Sequence, residues 1–131
     1  MTNFQRLIIV DDDVLTLTYN KLLASQYLLD SHIICVQTSA ELLSEIKKES
    51  SLKTLIILDM NLASENATDV LKSLNESDAY IKKNNRVVIL TSAILESYKL
   101  KTKKFSEVIK HFEKPLIKAY FEELEKETIF K

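Results

Sequence analysis

The sequence predicts an α/β fold, a doubly wound five-stranded parallel sheet of the (βα)5 kind, on three observations. Short apolar runs unbroken by polar residues recur along the chain, among them Leu7-Ile8-Ile9-Val10, Leu55-Ile56-Ile57-Leu58 and Val87-Val88-Ile89-Leu90. Segments with helical spacing alternate with those runs. Polar residues of marked chemical character stand where the runs end. A strand that is apolar on both faces belongs in a parallel sheet covered on both sides, and right-handed crossovers then wind that sheet into a sandwich.

The elements follow in order. After the first run, Asp13 is placed to cap a helix whose inward face reads as Leu15, Tyr19, Leu22, Leu23 and Gln26. His32 to Val36 reads as the second strand. Thr38-Ser39-Ala40-Glu41 has the form of a capping box and opens a helix with Leu42, Leu43 and Ile46 inward. The third strand is Thr54 to Leu58, and Asn66 or Thr68 starts a helix carrying Val70, Leu71 and Leu74. A polar connection from Asn75 to Asn85 leads to the fourth strand, followed by a Lys-rich, weakly amphipathic helix with Leu95, Tyr98 and Thr102. The fifth strand spans Glu107 to Phe112, and Pro115 suits the first turn of a last helix bearing Ile117, Tyr120, Phe121 and Leu124. We find no linker or repeat, so residues 1–131 read as a single domain.

Composition narrows the function. With 131 residues, 46% hydrophobic and 28% charged, the chain is long enough for one buried core and too apolar for disorder. The net charge of −1 offers no global attraction to nucleic acid or anionic membrane, and no recognition-helix motif is present. No apolar stretch approaches the roughly 20 residues that span a bilayer, so the expected location is the cytoplasm. Cys35, the only cysteine, falls in an apolar stretch and reads as a reduced buried thiol. Glycine is absent. The phosphate-cradling loops of the Rossmann and P-loop types need glycine and are therefore excluded. Turns that require positive φ are expected to use the many Asn and Asp residues.

The polar ends carry the chemistry. Asp11, Asp12 and Asp13 follow the first run, Asp59 the third, Thr91 the fourth, and Lys114-Pro115 the fifth. In the flavodoxin-like strand order 2-1-3-4-5, strands one and three are neighbours, and the ligand crevice lies outside their carboxyl ends. Each residue alone has a plain structural reading as a cap, a turn or a solvated lysine. Together they form a set of carboxylates that needs protons or a divalent cation. With oxygen ligands only, the fitting ion is Mg²⁺, with Mn²⁺ as a substitute, and such a site expects a phosphoryl group. Thr91 supplies a hydroxyl donor, Lys114 a compact cation, and Asp59 the best candidate for a nucleophilic carboxylate.

These motifs, Asp11-Asp12 after Leu-Ile-Ile-Val, Asp59 after Ile-Ile-Leu, Thr91-Ser92 after Val-Ile-Leu and Lys114-Pro115 after Phe-Glu, resemble the receiver domains of two-component response regulators over essentially the whole chain. The resemblance implies a regulatory phosphoacceptor that is not an enzyme beyond its own phosphorylation and dephosphorylation. Asp59 would accept the phosphoryl group from a phosphohistidine on a sensor histidine kinase or a histidine phosphotransfer protein. Asp11, Asp12, Asp59 and the main-chain carbonyl of Asn61 would hold Mg²⁺, and Thr91 and Lys114 would answer the phosphoryl group. It further implies a cis Lys114-Pro115 bond. Because the receiver pattern fills residues 1–131, a stand-alone receiver without an output domain is expected, and the resemblance implies that it acts on an unknown downstream protein through its fourth helix, fifth strand and fifth helix, where Lys99, Lys101, Lys103 and Lys104 form a basic cluster that reads either as a solvated face or as a surface for an acidic partner.

Ala63 and Ala67 depart from the family pattern, where proline and glycine are usual. His111 stands where an aromatic switch residue is common, and two readings are open for it: a rotating switch with pH sensitivity, or a plainly packed or exposed ring. Two other functions compete. One is a phosphorylation-independent interaction module on the same fold. The other is a haloacid-dehalogenase-type phosphohydrolase, which would need an Asp where Asn61 stands.

Overall fold

The computed structural model describes residues 4–130. Five strands, β1 (Arg6–Val10), β2 (Ile33–Val36), β3 (Thr54–Asp59), β4 (Asn85–Thr91) and β5 (Val108–Glu113), alternate with five helices, α1 (Val14–Ala24), α2 (Ser39–Lys48), α3 (Ala67–Asn75), α4 (Glu96–Lys103) and α5 (Lys118–Lys126). All pairings are parallel and the strand order is β2-β1-β3-β4-β5, as the sequence predicts.

The period of two along each strand divides the core into two layers. Leu7, Ile9, Leu55, Ile57, Val88 and Leu90 face α1 and α5, where Leu17, Ala24, Phe121 and Leu124 are buried against them. Ile8, Val10, Ile56, Leu58, Val87 and Ile89 face α2 and α3 through Leu42, Ile46, Val70, Leu71 and Leu74. Phe121 is wholly buried and stacks on Tyr27 with centroids 5.1 Å apart, so it contributes on the order of 2–3 kcal/mol from burial.

Local signals explain the helix starts. Thr38 Oγ1 accepts from Glu41 N, and Asn66 with Asp69 forms a reciprocal capping box, which selects Asn66 over Thr68 as the start of α3. Asp13 accepts from Leu15 N and from the Thr16 hydroxyl.

Four expectations are corrected. In α1 the buried residues are Leu17, Asn20 and Ala24, while Leu15 is 79% and Leu22 67% exposed and Tyr19 is also exposed. The helix is apolar around most of its circumference, so periodicity did not mark one face. Pro115 lies before α5, not in its first turn: the helix starts at Lys118 after the buried Leu116, and Ile117 is an exposed N-cap residue. The Lys114–Pro115 bond is cis. Leu95 likewise precedes α4 as its exposed N-cap, whereas Thr102 is fully buried. Finally, no described residue has positive φ. Turns such as the 3-10 segments Asp30–His32 and Lys82–Asn84 are built from right-handed and extended backbone alone. Cys35 is half-buried, with Sγ 3.9 Å from the Leu17 carbonyl, and burial pushes its thiol pKa up.

Candidate phosphoacceptor site

The topology brings the carboxyl ends of β1, β3, β4 and β5 to one edge of the sheet. Asp59 is the last residue of β3, and Asp11 and Asp12 follow β1, its hydrogen-bonded neighbour. One carboxylate oxygen from each of Asp11, Asp12 and Asp59 lies within 4.8 Å of the others. In an octahedral shell with bonds of about 2.1 Å, adjacent oxygens stand about 3.0 Å and opposite ones about 4.2 Å apart, so these three oxygens are near enough to be drawn onto one cation by small side-chain movements. Asp11 and Asp59 are buried, while Asp12 is exposed.

Lys114 reaches this cluster from the end of β5, with Nζ 2.8 Å from Asp59 Oδ1. One cation against three carboxylates leaves two net negative charges, which a single divalent ion would match. Burial raises the pKa of Asp11; the N–H of Asp13, donating to Asp11 Oδ1 at 2.9 Å, works the other way, and the charge of Asp59 adds to the rise. Asp13 points elsewhere. Its carboxyl pKa is lowered by the Thr16 hydroxyl and the Leu15 N–H, as a helix cap requires.

The backbone around the cluster is fixed by hydrogen bonds between adjacent loops. Met60 N donates to Leu90 O at 2.8 Å, Lys114 N to Thr91 O at 2.7 Å, and Asp11 N to Val36 O at 3.1 Å. Beyond β3, Asn61 pairs with Asn66 in an isolated antiparallel bridge made by Leu62 N to Glu65 O and Ala67 N to Met60 O. Neither bond uses the Asn61 carbonyl, which leaves that oxygen available as a ligand. Ala63 and Ala67 are accommodated in this bridge without left-handed backbone. The oxygen-only donor set and its residual charge are compatible with a hard divalent cation.

Thr91 is buried at the end of β4, and its hydroxyl donates to Ala93 O at 3.0 Å. His111 is half-buried on β5 beside Ile89, and its Nε2 is 2.6 Å from Thr102 Oγ1 on α4. The ring is thus bonded to a neighbouring helix. Burial lowers its pKa, and Lys99 adds to the effect.

Two features were not anticipated. Gln37, just past β2, donates from Nε2 to the Asp12 carbonyl at 3.2 Å, so the second strand also supports this edge. Exposed Leu15 and Tyr19 of α1 line a hollow of about 330 Å³ together with Lys114 and Pro115, giving the acidic site an apolar flank.

The chain has the fold of response regulator receiver domains. A response regulator receiver protein from Dyadobacter fermentans superposes with a TM-score of 0.80 at 19% identity, covering 96% of this chain and 98% of that one. A two-component response regulator from Cytophaga hutchinsonii gives 0.79 at 16% identity, with 96% and 97% covered. The chemotaxis protein CheY4 of Vibrio cholerae gives 0.77 at 16% identity, with 92% and 96% covered. No protein-family model and no curated protein matches the sequence.

Proposed function

We propose that the chain is a phosphoacceptor receiver of a two-component system. The observation that carries this reading is the buried Asp59 carboxylate, joined in one cluster to Asp11 and Asp12 and ion-paired to Lys114. Bound by these carboxylates and the Asn61 carbonyl, Mg²⁺ would supply charge neutralisation for phosphoryl oxygens.

An Asp59 oxygen attacks the phosphorus of a phosphohistidine. The phosphorus–nitrogen bond breaks with its electron pair on the imidazole, and an aspartyl phosphate results. Lys114 is ion-paired to the carboxylate beforehand and pairs with the phosphoryl oxygens afterwards. Thr91 exchanges its Ala93 acceptor for a phosphoryl oxygen, which draws the loop after β4 inward. The partner that carries the histidine, a sensor kinase or a phosphotransfer protein, docks on the apolar outer face of α1 at Val14, Leu15 and Tyr19. Output leaves through α4, β5 and α5, where His111 and Thr102 join strand to helix. The reading places the protein in the cytoplasm, and among the described residues no helix is long and apolar enough to cross a membrane.

The test is incubation with Mg²⁺ and a small acyl phosphate, read by intact mass and acyl-phosphate lability. Wild type gains one phosphoryl group and Asp59→Asn gains none. Failure of wild type to label from both a small donor and a phosphohistidine protein refutes the reading.

A further inference from the structure

The amino edge of the sheet, opposite the carboxylates, carries the opposite charge. Lys53 precedes β3, Lys82 and Lys83 lie in the 3-10 turn before β4, and Arg86 is the second residue of β4. Lys53, Lys83 and Arg86 line a hollow of about 540 Å³ together with Asn84 and Phe130. Among the described residues no carboxylate lines it. An adjoining hollow of about 440 Å³ shares Lys83 and Arg86 but contains Glu107, whose Oε1 is 3.7 Å from Lys82 Nζ. Glu107 thus offsets Lys82 and makes the second hollow poor for an anion, while the first is lined by three cations and by no described carboxylate.

Arg86 is held in place before any ligand arrives. Its Nη1 donates to the carbonyls of Asn85 at 2.9 Å, Lys83 at 3.3 Å and Lys82 at 3.4 Å, which closes the carboxyl end of the 3-10 turn. Its Cζ lies 4.8 Å from the centroid of the Phe130 ring, and Lys53 Nζ is 5.7 Å from the same ring. Nε and Nη2 have no hydrogen-bond partner among the described residues. A guanidinium anchored through one nitrogen and one face keeps its fork for a ligand and loses little side-chain entropy on binding.

We propose that this hollow binds the linked phosphates of a di- or triphosphate-bearing small molecule. Three cations around one concavity exceed what a single phosphate needs, and the volume lies within the about 300–1,000 Å³ of small-ligand sites. Without glycine the Rossmann and P-loop phosphate loops are closed to this chain, and here side-chain cations take their place. The site is independent of the Asp59 reading.

The test is a ¹⁵N-resolved NMR titration with pyrophosphate and with ATP, in EDTA and at constant ionic strength, with sulfate and a poly-glutamate peptide as comparison ligands. Pyrophosphate and ATP are expected to give saturable shifts at Lys53, Lys83, Arg86 and Phe130 in wild type and equally in Asp59→Asn. Lys53→Gln with Lys83→Gln, at exposed positions, should weaken binding by about tenfold or more while leaving thermal unfolding unchanged; Arg86→Gln should weaken binding as well, with a lower Tm from the loss of its three carbonyl bonds. Non-saturating shifts, shifts equal to those from sulfate, tighter binding of poly-glutamate, or shifts centred on Asp59 would each overturn the proposal.

Discussion

Replacing Asp11 with Asn should stabilise the protein in the absence of divalent cations and remove its response to Mg²⁺. Asp11 and Asp59 are 3% and 4% exposed, and their carboxylate oxygens lie within 4.8 Å of each other. Two unit charges at that separation repel by about 3.5 kcal/mol at an effective dielectric constant of about 20. The gain is smaller, because Lys114 also attracts Asp11, and because the 2.9 Å hydrogen bond from Asp13 N weakens by about 1 kcal/mol when its acceptor becomes neutral. A net stabilisation of about 1–2 kcal/mol at pH 7 remains, or about 3–8 °C in Tm. Its pH dependence follows from the direction of the Asp11 shift. A raised carboxyl contributes stability that is full below the ordinary carboxylate pKa and is lost as pH rises through the raised value. The advantage of the variant should therefore be small near pH 4 and grow toward pH 7. Urea unfolding followed by circular dichroism in EDTA measures it. In Mg²⁺ at about a hundred times its Kd, wild type gains about 2.7 kcal/mol and overtakes the variant. A variant no more stable than wild type in EDTA at pH 7, or one stabilised by Mg²⁺ to the same degree, refutes the reasoning.

Three further outcomes are expected. Tyr80→Phe removes the 2.8 Å hydrogen bond from Tyr80 to the wholly buried Glu107 side chain and should cost about 1.5–3 kcal/mol in urea unfolding; a change under about 0.5 kcal/mol contradicts it. On α1, Leu17→Ala should cost about 2–4 kcal/mol, whereas Leu22→Lys should change stability by less than about 0.5 kcal/mol, and the reverse order would mean that the helix face is misassigned. The depressed pKa of His111 makes its neutral ring a source of stability that is present above about pH 6.5 and lost as pH falls through the folded value. The stability difference between wild type and His111→Gln should accordingly shrink between about pH 8 and pH 5; a constant difference argues against it.

The sheet was legible because strands such as Leu55 to Leu58 are apolar on both faces, and only a doubly covered parallel sheet buries both. The juxtaposition of Asp11, Asp12, Asp59 and Lys114 was legible because parallel topology converts sequence position, the end of a strand, into spatial position. The orientation of α1 was not, since Asn20 faces inward while Leu15 and Leu22 face out, an arrangement with no signal in hydrophobic spacing. The polar stretch after α3 also concealed a buried element. Asn75 and Tyr80 both donate to Glu107 Oε2 at 2.8 Å, joining α3 and its following loop to the start of β5. Burial pushes the pKa of the Tyr80 phenol far up, so it remains a donor. Charged and amide residues in a connection read as solvated until a partner distant in sequence is known.

A backbone without glycine and without a described residue of positive φ bears on the unfolded chain as much as on the turns. An ordinary chain of this length carries about nine glycines. Each position held by another residue at compatible dihedrals removes disorder from the denatured ensemble, for about 0.4–1 kcal/mol of stability apiece. Part of the fold's stability thus resides in what the denatured chain cannot sample. Introducing glycine at the exposed Ala63 would destabilise the segment that follows Asp59 mainly by raising the entropy of the unfolded state, with no native contact beyond a methyl group removed.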